Sequence, residues 1–157
     1  MKKTLFAGLF LLLAVLASCA FLASCGNSSA EMDIHALADD LIANAAFEDE
    51  LTARRADTVA ARYGLESFAD QATFATGGAT AEEIAIFEGA DEKEAESIFK
   101  AMQNYLSSQI RTYDSYNPAG VVNLEAGYLE RHGKYVIYCV CADPDSAKTV
   151  IESFLAS

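Results

Sequence analysis

Tyr128-Leu-Glu-Arg-His-Gly-Lys-Tyr-Val-Ile-Tyr-Cys-Val-Cys141 is the stretch on which the fold turns. His132-Gly133 breaks it into two runs, Tyr128 to Arg131 and Lys134 to Cys141, which predicts a β-hairpin. Side chains alternate across a strand, so Tyr135, Ile137, Cys139 and Cys141 fall on one face of the second run, with Val136, Tyr138 and Val140 on the other. Both faces are apolar, the pattern of a strand in the middle of a sheet.

Working outward, Asp143-Pro144 gives a cap and a proline for the first turn of a last helix carrying Ala147, Val150, Ile151, Phe154 and Leu155. Upstream, Tyr116-Asn117-Pro118 ends a long helix and starts a short one over Pro118 to Leu124. The long helix is predicted from Glu92 to about Tyr113, capped by Asp91 with Glu94 as the reciprocal partner. Its apolar stripe is Ala95, Ile98, Phe99, Met102, Tyr105, Leu106 and Ile110. Before it, Gln71 to Thr76 and Glu82 to Phe87 read as two antiparallel strands joined through Gly77-Gly78. Two helices precede these. One is capped by Asp33, with Ile34, Leu37, Leu41, Ile42 and Ala45 on its apolar face; the other runs from Thr52 or Ala56 to Tyr63, burying Val59 and Tyr63 and closing at Gly64. The expected fold class is α+β, in the order α-α-β-β-α-(α)-β-β-α, with a four-stranded, largely antiparallel sheet and its helices packed on one side in two layers.

The first residues bear on location. Lys2 and Lys3 precede an uncharged apolar run from Leu5 to Ala17, the layout of an export signal. Leu16-Ala17-Ser18-Cys19 and Leu22-Ala23-Ser24-Cys25 each place small residues ahead of a cysteine that can carry a diacylglycerol. Cys25 is the preferred lipidation site, because Gly26-Asn27-Ser28-Ser29 turns polar at once; Cys19 is the alternative. Residues 1–24 then form a signal peptide, 25–32 a lipidated cysteine and short linker, and 33–157 a single extracytoplasmic domain anchored to the cell membrane. From Cys25 onward nine basic side chains stand against 23 acidic ones, a net charge of −14. Such a surface has no stripe to neutralise phosphates, so nucleic acid is not an expected partner. It also cannot lie flat on anionic lipid, which leaves attachment to the acyl chains.

Phe47-Glu-Asp-Glu-Leu51, Tyr63-Gly-Leu65, Gly78-Ala-Thr-Ala-Glu-Glu-Ile-Ala-Ile-Phe87, Tyr116-Asn-Pro118 and Gly133-Lys-Tyr-Val136 resemble the DUF4358 family. The resemblance implies a small lipoprotein of Gram-positive anaerobes and brings no catalytic residue with it.

No motif specifies a reaction, a cofactor or a metal. Gly77-Gly78-Ala79-Thr80 lacks the Gly-Lys-Ser/Thr ending of a phosphate loop and runs into Ala81-Glu82-Glu83, so it reads as a connection setting strand register. His35 and His132 stand at no familiar ligand spacing from Cys139 and Cys141, and the cysteines read as small buried hydrophobes. Asp39-Asp40, Glu48-Asp49-Glu50 and Asp143-Pro144-Asp145 lack the alternating oxygens and central glycine of a calcium loop. Arg111, Tyr113, Tyr116 and Asn117, around the end of the long helix, form the candidate binding patch, since tyrosine and arginine offer contact area with a polar end. The functional expectation is a noncatalytic binding or adaptor module for an envelope protein, a peptide or a cell-wall component. An envelope hydrolase would need a pocket gathering His132 or a cysteine with distant carboxylates. A structural or assembly factor would need a large self-complementary apolar surface.

Overall fold

The computed structural model describes residues 31–78 and 80–157. Both lipidation candidates, Cys19 and Cys25, and the signal segment lie outside the described residues. The elements run α1 (Ile34–Asn44), β1 (Thr52–Ala53), α2 (Ala56–Tyr63), β2 (Asp70–Ala75), β3 (Glu83–Glu88), α3 (Glu92–Tyr116), α4 (Pro118–Ala126), β4 (Tyr128–His132), β5 (Tyr135–Val140) and α5 (Pro144–Leu155). The fold is α+β, as expected. Its sheet is antiparallel and five-stranded, in the order β1-β2-β3-β5-β4. The added strand is the pair Thr52–Ala53, which bonds opposite Ala75 and Phe74 instead of opening α2.

The expected packing on one side is corrected. Val136, Tyr138 and Val140 of β5 join Ala85 and Phe87 of β3 under α2, α3 and α4. On the reverse face, Tyr135, Ile137 and Cys139 join Ile84 and Ile86 under α1 and α5. Helices therefore cover both faces, giving three layers. The reason is in the chain: all six residues of β5 are buried, and one helical layer covers only every second residue of a strand. Each of the valine, isoleucine and phenylalanine side chains among these contributes about 1.5–3 kcal/mol on full burial.

The caps behave as local chemistry dictates. Asp91 accepts from Glu94 N at 2.8 Å while the Glu94 carboxylate takes the Ala90 N–H at 2.6 Å, a reciprocal closure of the α3 N-terminus. Asp33 and Asp143 cap α1 and α5. Gly64 closes α2 at φ +68°, and Gly133 turns the β4–β5 hairpin at φ +59°, both in the left-handed region that suits glycine. On α1 one expectation fails: Ile42 is 42% exposed and Ala38 is buried instead. The stripe follows Ile34, Leu37, Ala38 and Leu41, and one further residue carries Ile42 past its edge. α3 continues three residues beyond Tyr113 before Pro118 redirects the chain.

Candidate functional site

β3 begins with a carboxylate on the face that α3 covers. Glu83 stands two residues before Ala85 and four before Phe87, so its side chain points into the same apolar layer, 3% exposed. A charge there needs partners, and the neighbouring elements supply them. Tyr63, in the last turn of α2, donates to Glu83 Oε1 at 2.8 Å. Arg62 beside it donates through Nε at 2.9 Å and places Nη2 at 2.9 Å from the same oxygen. Tyr105, from the α3 stripe, donates to Oε2 at 2.9 Å.

These rings also pack on each other. Tyr63 meets Phe87 edge-on at 5.6 Å and Tyr105 at 4.7 Å, and Tyr105 meets Tyr138 at 6.2 Å. The Arg62 guanidinium lies 5.8 Å from the Tyr63 centroid and 5.4 Å from that of Tyr105. Burial, then the Glu83 charge, pushes the phenols of Tyr63, Tyr105 and Tyr138 well above the usual tyrosine range. Burial is the largest single influence on Arg62 and works to lower its pKa, but Glu83, Tyr105 and Tyr63 together outweigh it and the net shift is upward. All these hydroxyls stay protonated at ordinary pH, so this wall offers neutral hydrogen-bonding groups.

Glu83, Tyr105 and Tyr138 line one side of a cleft of about 650 Å³. Its rim carries Thr58 and Arg62 from α2, Gln109 from α3, and the connection through Thr76, Gly77, Gly78 and Thr80. That connection is fixed from within. Thr76 Oγ1 donates to Thr80 O at 3.1 Å and accepts from Gly78 N at 3.3 Å, with Gly78 at φ +105°. Glu82 accepts from Glu48 N at 2.9 Å and Asp49 N at 2.9 Å, tying the connection to the segment after α1. Arg54 Nη2 bonds the carbonyls of Ala75 and Thr76 at 3.2 and 2.6 Å.

The sequence-derived patch divides here. Tyr113 lines the cleft, donates to Thr80 O at 2.9 Å, and packs against Tyr116 with centroids 4.8 Å apart and ring planes inclined by 45°; Tyr116 is 60% exposed. Gly120 lets α4 approach, because a Cβ there would stand 2.7 Å from Tyr113 Cδ1. Asn117 caps the junction, its N–H bonding Tyr113 O at 2.7 Å. Arg111 is exposed and, two helical residues from Tyr113, projects about 200° away from it. The structure thus brings Tyr113, Tyr116 and Asn117 together and leaves Arg111 apart.

Sequence reasoning missed Arg62, Glu83, Gln109 and Tyr138. The usable signal was polarity in apolar positions: Glu83 in phase with Ala85 and Phe87, and Gln109 four residues from both Tyr105 and Tyr113 on the α3 stripe.

The other chemistry-bearing side chains lie elsewhere. His35 Nε2 is 2.9 Å from Asp70 Oδ2 at an exposed position. His132 Nε2 is 3.0 Å from Tyr128 Oη and 3.5 Å from Glu130 Oε2 on β4. Cys139 and Cys141 are buried on the α1–α5 face. Hydrogen bonding with Cys141, then burial, raises the Cys139 thiol, while the same bond draws Cys141 down to about 7 against burial. Among the described residues no three His, Cys, Asp or Glu side chains are grouped as metal ligands, and no helix is long and apolar enough to cross a membrane.

Comparison with known proteins adds a family. A family model described as a domain of unknown function, DUF4358, matches residues 43–141, well over half of the chain and every strand of the sheet. No curated protein and no solved structure matches significantly.

Proposed function

The chain belongs to the DUF4358 family, and from that premise we propose that it is a noncatalytic, membrane-tethered binding module of the cell envelope whose ligand site is the Glu83 cleft. In this reading Cys25 carries the lipid and the domain faces outward, where it engages a cell-wall component, a peptide or an envelope protein. The observation that carries the reading is Glu83 itself: a buried carboxylate held by three protein hydrogen bonds and an ion pair with Arg62 at the wall of an open cleft. Such a network fixes the wall in one shape, the preorganisation that makes binding affordable in conformational entropy. No histidine or cysteine lines this cleft among the described residues, and its phenols hold their protons, which favours binding over acid–base or nucleophilic hydrolysis. Tyr113 and Tyr116 then extend the wall outward as contact area for the ligand, and Arg111 is peripheral.

Photocrosslinking in living cells tests this. A photoreactive residue replacing Gln109 should yield a discrete envelope adduct, while the same group replacing Lys148, on the outer side of α5, should not. The same membrane-purified protein should begin at a lipid-bearing Cys25. Equal adducts from both positions, or an unmodified cysteine, would contradict the reading.

A further inference from the structure

Four buried side-chain polar atoms among the described residues have no protein partner: Asp49 Oδ2, Gln71 Oε1, Thr73 Oγ1 and Tyr138 Oη. Tyr138 alone of these residues lines the cleft. A buried hydroxyl without a partner is unfavourable, so the position of Tyr138 Oη is informative. Its ring packs against Tyr105, whose own hydroxyl bonds Glu83 Oε2. The two oxygens of Glu83 are unequally used. Oε1 takes Tyr63 and both Arg62 nitrogens, whereas Oε2 takes Tyr105 alone, leaving Oε2 room for a second donor.

We propose, resting on the binding reading above, that the cleft takes a neutral, hydroxyl-rich ligand of the saccharide class, one of whose hydroxyls bonds both Tyr138 Oη and Glu83 Oε2. A hydroxyl donates and accepts through a single oxygen, which suits a carboxylate oxygen with room for a donor and an unpartnered phenol lining the same cleft. A peptide carbonyl only accepts and a peptide N–H only donates. Charge selects the same class. Arg54 and Arg62 in the lining are balanced in number by Glu82 and Glu83, Arg62 Nε and Nη2 are engaged by Glu83 and Arg54 Nη2 by the carbonyls of Ala75 and Thr76, so the cleft offers an anion no excess of positive charge. A quaternary ammonium would suit a tyrosine cage, but Arg62 already occupies the cation sites over Tyr63 and Tyr105. Thr58, Thr80 and Gln109 on the rim supply further neutral donors and acceptors for additional hydroxyls.

The test uses the full-length lipoprotein in detergent micelles. It is titrated with an array of neutral oligosaccharides, including an N-acetylglucosamine disaccharide, and separately with trialanine, inorganic phosphate and tetramethylammonium. At least one saccharide should bind, and Tyr138→Phe should weaken it about tenfold, the factor for one lost hydrogen bond. The melting temperature should hold or rise, because the variant removes only an unpartnered oxygen. Gln109→Ala, at the rim, should weaken the same saccharide and serves if Tyr138→Phe does not fold. Saccharide affinity unchanged in Tyr138→Phe overturns the proposal. Binding of trialanine, phosphate or tetramethylammonium with no saccharide bound also overturns it, yet leaves the cleft as a binding site. Binding of no probe by the folded wild-type protein counts against both.

Discussion

Glu83 shows how one residue is made tolerable by its surroundings. An isolated carboxylate in an apolar layer is strongly unfavourable, and removing a partner from a buried pair typically costs several kcal/mol. Arg62 is half exposed, which lessens its own share; the two phenols are deeper and contribute neutral hydrogen bonds. The tyrosines make stability depend on alkaline pH. Tyr63, Tyr105 and Tyr138 have folded pKa values above the usual 10.0, so their stabilisation is complete below pH 10 and is lost as pH rises toward those values. Unfolding free energy measured in urea should therefore fall steeply above pH 10, and Tyr105→Phe should flatten the fall. Absorbance at 295 nm should show these phenols ionising with unfolding; their ionisation near pH 10 in folded protein would contradict the network. At this scale the sequence was partly legible. Tyr63 and Tyr105 were readable as buried from helical spacing, but their shared target was not, because nothing local links residue 83 to residues 62, 63 and 105.

Elements were far more legible, since caps and periodicity act within a few residues. The Asp91–Glu94 closure, the Gly64 stop and the Pro118 and Pro144 starts all appear where the chain chemistry places them. β1 was not legible: two residues are too short for any periodicity, and only pairing with Phe74 and Ala75 defines them. Helices on both faces were implied by the apolar double face of β5, yet four predicted strands left no local reason to divide the helices between two sides. The join between β3 and α3 offers a sharp check. A Cβ on Gly89 would stand 2.7 Å from Ala95 N and 2.9 Å from Asp91 O, both backbone atoms, so the first turn of α3 would have to move. Gly89→Ala should lower unfolding free energy by about 1–3 kcal/mol, the range for overpacking. A urea midpoint equal to wild type would show that the α3 N-terminus is looser than described.

At the scale of the molecule, the two faces of the sheet divide the labour. The α1–α5 face buries the free thiols and closes over an apolar layer, whereas the α2–α4 face carries Glu83, its tyrosine partners and the cleft. In the proposed reading a lipid at Cys25 would hold the domain near the bilayer by its acyl chains, and the net charge of −14 from residue 25 onward would keep the surface off anionic headgroups. Hydrogen–deuterium exchange on the full-length protein, with and without solubilised wall glycan, tests the central claim most directly. Slowed exchange confined to the connection through residues 76–82, the start of β3 and the Tyr105–Tyr113 part of α3 is the expected result. Protection confined to α1 and α5, with the cleft unchanged, would place the ligand on the other face and contradict the account.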